Sequence, residues 1–176
     1  MNITSTSIIF FLVYFLISIN TYSQNEDIKW DDDGSSYFKS EQNEIIKYTL
    51  PDNEARVIIS LSILIPKGSD NPLIISFFSI SPDHQKVLLF TNTRKVWRLR
   101  TRGDYWIYDL NKDTLYQLGK TLPKSSLMFA KFSPDCKSVA YVSLNNIYTE
   151  DLTSLIIKKM TEDGMETSFK GRRRNN

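Results

Sequence analysis

Phe78-Ser-Ile-Ser-Pro-Asp-His-Gln-Lys-Val-Leu-Leu-Phe90 is echoed downstream by Phe132-Ser-Pro-Asp-Cys-Lys-Ser-Val-Ala-Tyr-Val142 and, more weakly, upstream by Trp30-Asp-Asp-Asp-Gly-Ser-Ser-Tyr37. In each copy a turn sequence carrying an aspartate precedes a short strand-like run, and Asp33, Asp83 and Asp135 are spaced 50 and 52 residues apart. Pro presets φ at the start of a turn, and an Asp side chain bonds the backbone two residues on, so the turn decides where the next strand begins. Each copy continues into a second strand ending in Leu: Ile45–Leu50, Tyr105–Leu110 and Asn146–Leu152. A polar turn and a third strand follow, at Arg56–Ser60, Leu115–Leu118 and Leu155–Met160. Periods of about 40 to 50 residues with several strands per unit mark the blades of a β-propeller. Runs of Val, Ile, Leu, Tyr and Phe suit sheets covered on both faces by neighbouring blades. A β-sandwich with similar turns is the competing fold. The match through three strands per unit favours an all-β, incomplete β-propeller of about three four-stranded antiparallel blades.

The 176 residues divide into three parts. Residues 1–23 read as a signal peptide. The run Ile8–Ile19, with Ser18 its one small polar member, is shorter than the roughly 20 residues that span a bilayer. Thr21 and Ser23 supply the small residues wanted before a cleavage site after Ser23. The chain is therefore expected to be exported, to the periplasm or the extracellular space, with membrane contact only if the leader stays uncleaved. Residues 24–164 hold the repeats. Three blades do not close a ring, so this part reads as a fragment whose open blade edges invite self-association. Residues 165–176 form a basic tail, expected to be disordered. Its last nine, Ser168–Asn176, carry four of the 22 basic residues and no acid, leaving the rest near −2 in a chain of net charge +2. One short patch on a slightly acidic body does not point to nucleic acid.

Hydrolytic chemistry lacks its usual parts in this sequence. There is no Gly-x-Ser-x-Gly elbow for a nucleophile. The sole histidine, His84, stands in the second repeat turn where the third copy has the sole cysteine, Cys136. Both are read as turn residues at equivalent exposed sites, so neither a catalytic triad nor a metal-ligand cluster is expected. One cysteine also forms no disulfide framework. Gly119-Lys120-Thr121 resembles the end of a phosphate loop, but Thr114 stands where the first glycine belongs, and the segment is read as an ordinary loop. Arg102-Gly103-Asp104 matches an adhesion tripeptide and is read instead as the opening of a strand.

The stretch Thr91–Trp106 is different. Leu50 to Leu110 spans 60 residues and Leu110 to Leu152 only 42, and the excess is placed in this stretch as a lengthened hairpin. It carries Arg94, Lys95, Arg98, Arg100 and Arg102 among Trp97, Tyr105 and Trp106, more charge than a blade needs to hold together. Guanidinium groups bind carboxylates and carbonyls through a planar fork, so the hairpin is a candidate functional projection.

Phe78-Ser-Ile-Ser-Pro-Asp83, Val87-Leu-Leu-Phe-Thr-Asn-Thr-Arg-Lys-Val-Trp-Arg98, Gly103-Asp-Tyr-Trp-Ile-Tyr-Asp-Leu110 and Ala130-Lys-Phe-Ser-Pro-Asp135 together resemble the N-terminal propeller of dipeptidyl peptidase IV. That is a branch of the prolyl oligopeptidase family of serine peptidases, and the bacterial, periplasmic members look most similar. The resemblance runs from about Trp30 to Gly164 and is most specific between Val87 and Leu110. It implies an eight-bladed propeller capping an α/β-hydrolase domain that removes dipeptides from peptide N-termini, with Pro or Ala second. It also implies that Arg98, through the pair Trp97-Arg98, bonds a substrate carbonyl. The family's paired glutamates, in an Asp-Trp-Val-Tyr-Glu-Glu segment, have no counterpart here, and no cofactor or metal is implied. The leading expectation is thus a truncated propeller of an exported dipeptidyl peptidase, inactive by itself, with peptides as substrates of its full-length relatives. A stand-alone periplasmic binding or scaffold protein is the other reading.

Overall fold

In the computed structural model the described residues are 28–96 and 99–164, and the side chains of Leu99 and Arg100 are left aside. The expected leader and tail, residues 1–23 and 165–176, lie outside them. Three four-stranded antiparallel sheets follow one another along the chain. The first holds β1 (Lys29–Trp30), β2 (Ser36–Glu41), β3 (Glu44–Thr49) and β4 (Glu54–Ile59). The second holds β5 (Ile75–Ile80), β6 (Lys86–Val96), β7 (Leu99–Asp109) and β8 (Thr114–Gln117). The third holds β9 (Met128–Phe132), β10 (Ser138–Ser143), β11 (Asn146–Asp151) and β12 (Ile157–Lys159). Neighbours in sequence are neighbours in each sheet, which is the meander of a propeller blade.

The same turn opens β2, β6 and β10. In the second blade Ser81 Oγ donates to Asp83 Oδ1 at 2.5 Å, Gln85 N donates to that oxygen at 3.1 Å, and Lys86 N donates to Ser81 Oγ at 2.9 Å. The third blade repeats this with Ser133, Asp135, Lys137 and Ser138, at 2.6, 3.2 and 3.0 Å. In the first blade Asp31 replaces the serine and accepts from Ser36 Oγ at 2.8 Å, while Asp33 accepts from Ser35 N at 2.8 Å. The residue after each aspartate turns the chain with positive φ: Gly34 at 69°, His84 at 56° and Cys136 at 58°. Each turn then accepts the amide of the leucine that ends the blade's third strand, Leu50 to Ser35 O, Leu110 to Gln85 O and Leu152 to Lys137 O, at 2.8 to 2.9 Å.

With register set this way, alternate residues of β6 go to opposite faces. Val87 and Leu89 join Phe38, Ile45, Ile59 and Phe78 in a core between the first and second blades. Leu88 and Phe90 join Ile107, Val139, Tyr141 and Tyr148 in a core between the second and third. Truncating a buried leucine here is of the kind that costs about 2–5 kcal/mol. Among the described residues only the middle sheet is covered on both sides. The outer face of the first blade carries the stacked Tyr37 and Tyr48 and an exposed Trp30, and the third blade shows Ile147.

Two expectations need correction. The hairpin accounts for ten of the 18 extra residues, since Lys86 pairs with Asp109 where Ser138 pairs with Asp151. The other eight lie between Leu50 and Lys86, where the β4–β5 connection tucks the fully buried Leu64 into the first core. Cys136, read as exposed, is buried at 7% exposure, because the turn of the preceding blade packs beside it and its thiol faces Asp83.

Hydrogen bonds from Ser133 and from the Lys137 amide hold the Asp135 carboxyl below its ordinary value. A depressed folded pKa brings stability that is present above the unfolded value of about 4 and lost as pH falls through the folded one. Asp135→Asn is therefore expected to unfold at a lower temperature than the parent at pH 7, with the difference shrinking as pH is lowered toward 2.5. A midpoint difference that persists unchanged at pH 2.5 contradicts the turn chemistry.

Candidate functional site

β6 and β7 run for 11 residues each, against six in β10 and β11. Their flanking strands stop sooner. β5 pairs with β6 only as far as Thr91, and β8 with β7 only as far as Trp106, with one further bridge between Gly103 and Leu127. Beyond that point the described part of the hairpin is a two-stranded ribbon, with Thr93 and Thr101 bordering β5 and β9 at its root. Trp97 and Arg98, the pair singled out by the resemblance, lie outside the described residues; the strands pair up to Val96 and Leu99 on either side of them.

The ribbon leaves the blade through a bulge. Thr91 pairs with Asp104, but the next rung joins Arg94 to Arg102, so Asn92 and Thr93 face the single residue Gly103. A bulge of this kind bends the strand and re-aims what lies beyond it. Asn92 takes a positive φ of 46°, which asparagine tolerates better than most residues. Gly103 has no alternative: a Cβ there would sit 2.5 Å from a Phe90 ring carbon and 2.6 Å from the Thr91 carbonyl oxygen.

A buried carboxylate locks this bend. Asp104 is 8% exposed, and its Oδ1 accepts from the Ser125 amide at 2.6 Å while its Oδ2 accepts from Asn92 Nδ2 at 2.7 Å. Asn92 Nδ2 also donates to Ser125 Oγ at 2.7 Å. The adhesion-like tripeptide is thereby explained: its aspartate is a buried clasp rather than an exposed ligand. Beside the root of the ribbon lies a cleft of about 420 Å³, walled by Phe77, Phe90, Tyr105 and Phe129.

The remaining sequence candidates fall elsewhere. His84 sits on the turn as read, and its Nδ1 lies 3.2 Å from Asp31 Oδ1 of the first blade. Asp31 is raised by burial, but hydrogen bonds from Lys47 and Ser36 and the nearby His84 outweigh this and leave its carboxyl below the usual range. The Gly119 amide is already engaged, donating to Glu150 Oε2 at 2.8 Å, so this segment is a loop tied to the third blade rather than a phosphate cradle. Glu150 also accepts from the Tyr141 hydroxyl at 2.9 Å, and burial pushes its carboxyl above the ordinary value. Among the described residues no three His, Cys, Asp or Glu side chains gather as a metal site. Sequence reading found the ribbon but missed its clasp; Asn92 and Asp104 flank the first of two places where the β6–β7 ladder slips, and that slip is visible only once the strands are paired.

Removing the Asp104 carboxylate strands the buried Ser125 amide and leaves Asn92 Nδ2 with Ser125 Oγ alone. Asp104→Ala is expected to lower the free energy of unfolding by about 1–3 kcal/mol, measured by urea denaturation. A change below about 0.5 kcal/mol, the range of ordinary surface substitutions, means that the clasp does not hold the ribbon.

Comparison with known proteins places this geometry. Residues 81–173 match the family described as dipeptidyl peptidase IV (DPP IV) N-terminal region. A protein of Aspergillus oryzae named probable dipeptidyl-aminopeptidase B is 37% identical over 116 residues, covering 66% of this chain and 13% of the relative. Its namesake in Aspergillus fumigatus is 30% identical over 143 residues, covering 81% of this chain and 15% of the relative. The crystal structure of Porphyromonas gingivalis dipeptidyl peptidase 4 superposes with a TM-score of 0.68 at 24% identity, over 78% of this chain and 19% of that one, and has the same fold there. The chain thus spans a small part of the length of the relatives it matches. With the family match covering more than half of its residues and the blades arranged as described, the chain belongs to the dipeptidyl peptidase IV N-terminal region family.

Proposed function

We propose that this chain is the propeller part of an exported dipeptidyl peptidase and that its β6–β7 ribbon carries Arg98 to the backbone of a peptide substrate. The observation that supports this most is the ribbon itself: an 11-residue strand pair, inside the family match, that outruns its flanking strands and has Trp97-Arg98 between its two paired ends. A blade needs no such extension for its own packing. A guanidinium donates to a carbonyl oxygen through a rigid fork, which fixes the substrate chain in one orientation. Orientation lowers the barrier only if the reacting groups are also present, and these 176 residues contain no Gly-x-Ser-x-Gly nucleophile. In this reading the hydrolytic step belongs to a hydrolase domain that the propeller serves, and this segment alone holds and aligns.

The arginine can be tested by transplant. Thr91–Trp106 would replace the corresponding hairpin of the Porphyromonas gingivalis enzyme, and turnover of a chromogenic Gly-Pro substrate would be followed. Loss of a charged hydrogen bond is worth about 1.5–3 kcal/mol, so Arg98→Ala within the graft should lower kcat/KM about tenfold to a hundredfold. Equal kcat/KM for the two grafts removes Arg98 from the substrate site.

Export rests on the apolar run Ile8–Ile19 followed by Thr21 and Ser23. N-terminal sequencing of the secreted or periplasmic protein should begin at Gln24. A chain that begins at Met1 contradicts cleavage.

A further inference from the structure

The two seams between blades are joined differently at their turn ends. At the second seam the Cys136 thiol faces Asp83. At the first, His84 of the second blade stands between two carboxylates of the first: its Nδ1 lies 3.2 Å from Asp31 Oδ1 and its Nε2 lies 4.0 Å from Asp32 Oδ2. A neutral imidazole has one N–H and turns a lone pair toward one of its neighbours, whereas the imidazolium presents a proton from both nitrogens. Two facing carboxylates therefore suit the charged ring.

The other charged groups around this ring leave that match in place. From the first blade, Lys47 on β3 reaches the far oxygen of Asp31 at 3.0 Å, and Lys29 on β1 lies over the Phe77 ring. From the ring's own blade, Asp83 accepts from Ser81 Oγ and lies 3.7 Å from Lys86 Nζ. Phe38 on β2 meets the imidazole with its own ring and adds no charge. Burial raises the Asp31 carboxyl, but the hydrogen bonds from Lys47 and Ser36 and the nearby His84 leave it below the usual range. Asp31 thus stays ionised over the span of about pH 5 to 8 in which histidine gains and loses its charge. His84 is also the chain's one histidine.

The same seam is held at its other end by a group that does not titrate. Asn43, beyond the far end of β2, donates from Nδ2 to the Leu73 carbonyl at 2.8 Å and accepts from the Ile75 amide at Oδ1 at 2.7 Å. Between the two ends lies the core of Phe38, Ile45, Ile59, Val87 and Leu89. At the His84 end the packing gives out. A cleft of about 320 Å³ opens beside the imidazole, bordered by Trp30, Phe38, Ser79 and Pro82. One end is clamped by an amide, and the other is bridged by an imidazole next to unfilled space.

We propose that the seam between the first and second blades is a proton-operated latch, closed by the His84 imidazolium on Asp31 and Asp32, released as pH rises through the histidine range, and pivoting on the Asn43 clamp. The sign follows from the form that makes the contact: a tie between a cation and a carboxylate stabilises at the lower pH and is lost when the cation gives up its proton. The latch rests on contacts within the first two blades and is independent of the peptidase reading.

The test uses the whole 176-residue chain in a double-mutant cycle of His84→Asn and Asp31→Asn, followed by urea denaturation at pH 5.5 and pH 7.5. Asparagine is chosen because it tolerates the positive φ of 56° at position 84. Coupling between the two positions should amount to about two- to fivefold in the unfolding equilibrium constant at pH 5.5, as for a partly exposed ion pair, and fall to near unity at pH 7.5. Deuterium uptake by the parent supplies a second reading that needs no variant to fold. After correction for intrinsic rates, the turn amides from Trp30 to Tyr37 should exchange at least about twofold faster at pH 7.5 than at pH 5.5, while the Ile75 amide held by Asn43 keeps its protection. Coupling of the same size at both pH values, no coupling at pH 5.5, or turn exchange that does not change with pH overturns the latch. Equal loosening at Ile75 overturns the pivot.

Discussion

An aspartate carboxylate that accepts the amide two residues further on is the interaction from which each blade is built. It recurs at Asp33, Asp83 and Asp135, and in each case it fixes the residue at which the next strand enters its sheet. Strand side chains alternate with a period of two, so a slip by one residue would exchange the faces of β6 and move Val87 and Leu89 out of one core and Leu88 and Phe90 out of the other. The turn is thus upstream of the packing. In the second and third blades the residue of positive φ that follows the aspartate reaches back to the preceding turn: His84 meets Asp31, and Cys136 faces Asp83. The device that starts a blade also seats it on its neighbour.

Much of this was legible in the chain because it is local. Ser-Pro-Asp, a following residue able to take positive φ, and a run of β-branched and aromatic residues lie within a dozen positions, and their repetition reveals the blade count. The ribbon was legible through composition, since five cations within a few residues do not suit a packed sheet. The family match bears out the dipeptidyl peptidase resemblance that these same segments suggested.

What stayed hidden depends on contacts between distant residues. Asp104 is clasped by Ser125, 21 positions away, and Asn92 reaches the same serine across 33. No local pattern marks such a triangle, and Asp104 within Arg-Gly-Asp looked like the start of an ordinary strand. Cys136 was misread for a related reason: a turn position is exposed in an isolated blade, and its burial exists only once the second blade's turn stands beside it. Leu64 belongs to a segment with no strand period, and its place in the core comes from the path of the β4–β5 connection. The part of the site that touches a ligand is legible only as the Trp97-Arg98 pair, whose reading rests on kinship.

The break in pairing at Thr91 and Asp104 also separates two kinds of change. Up to that rung, a change at a buried position such as Val87, Leu88 or Ile107 is felt by a neighbouring blade through the shared cores. Past the bulge, none of the described hairpin residues belongs to either inter-blade core, while Gly103 and the Asp104 clasp hold its root. A change of length or polarity at the described positions beyond it leaves the turns, the strand register and both inter-blade cores as they are, so what the hairpin presents is set apart from how the blades fold.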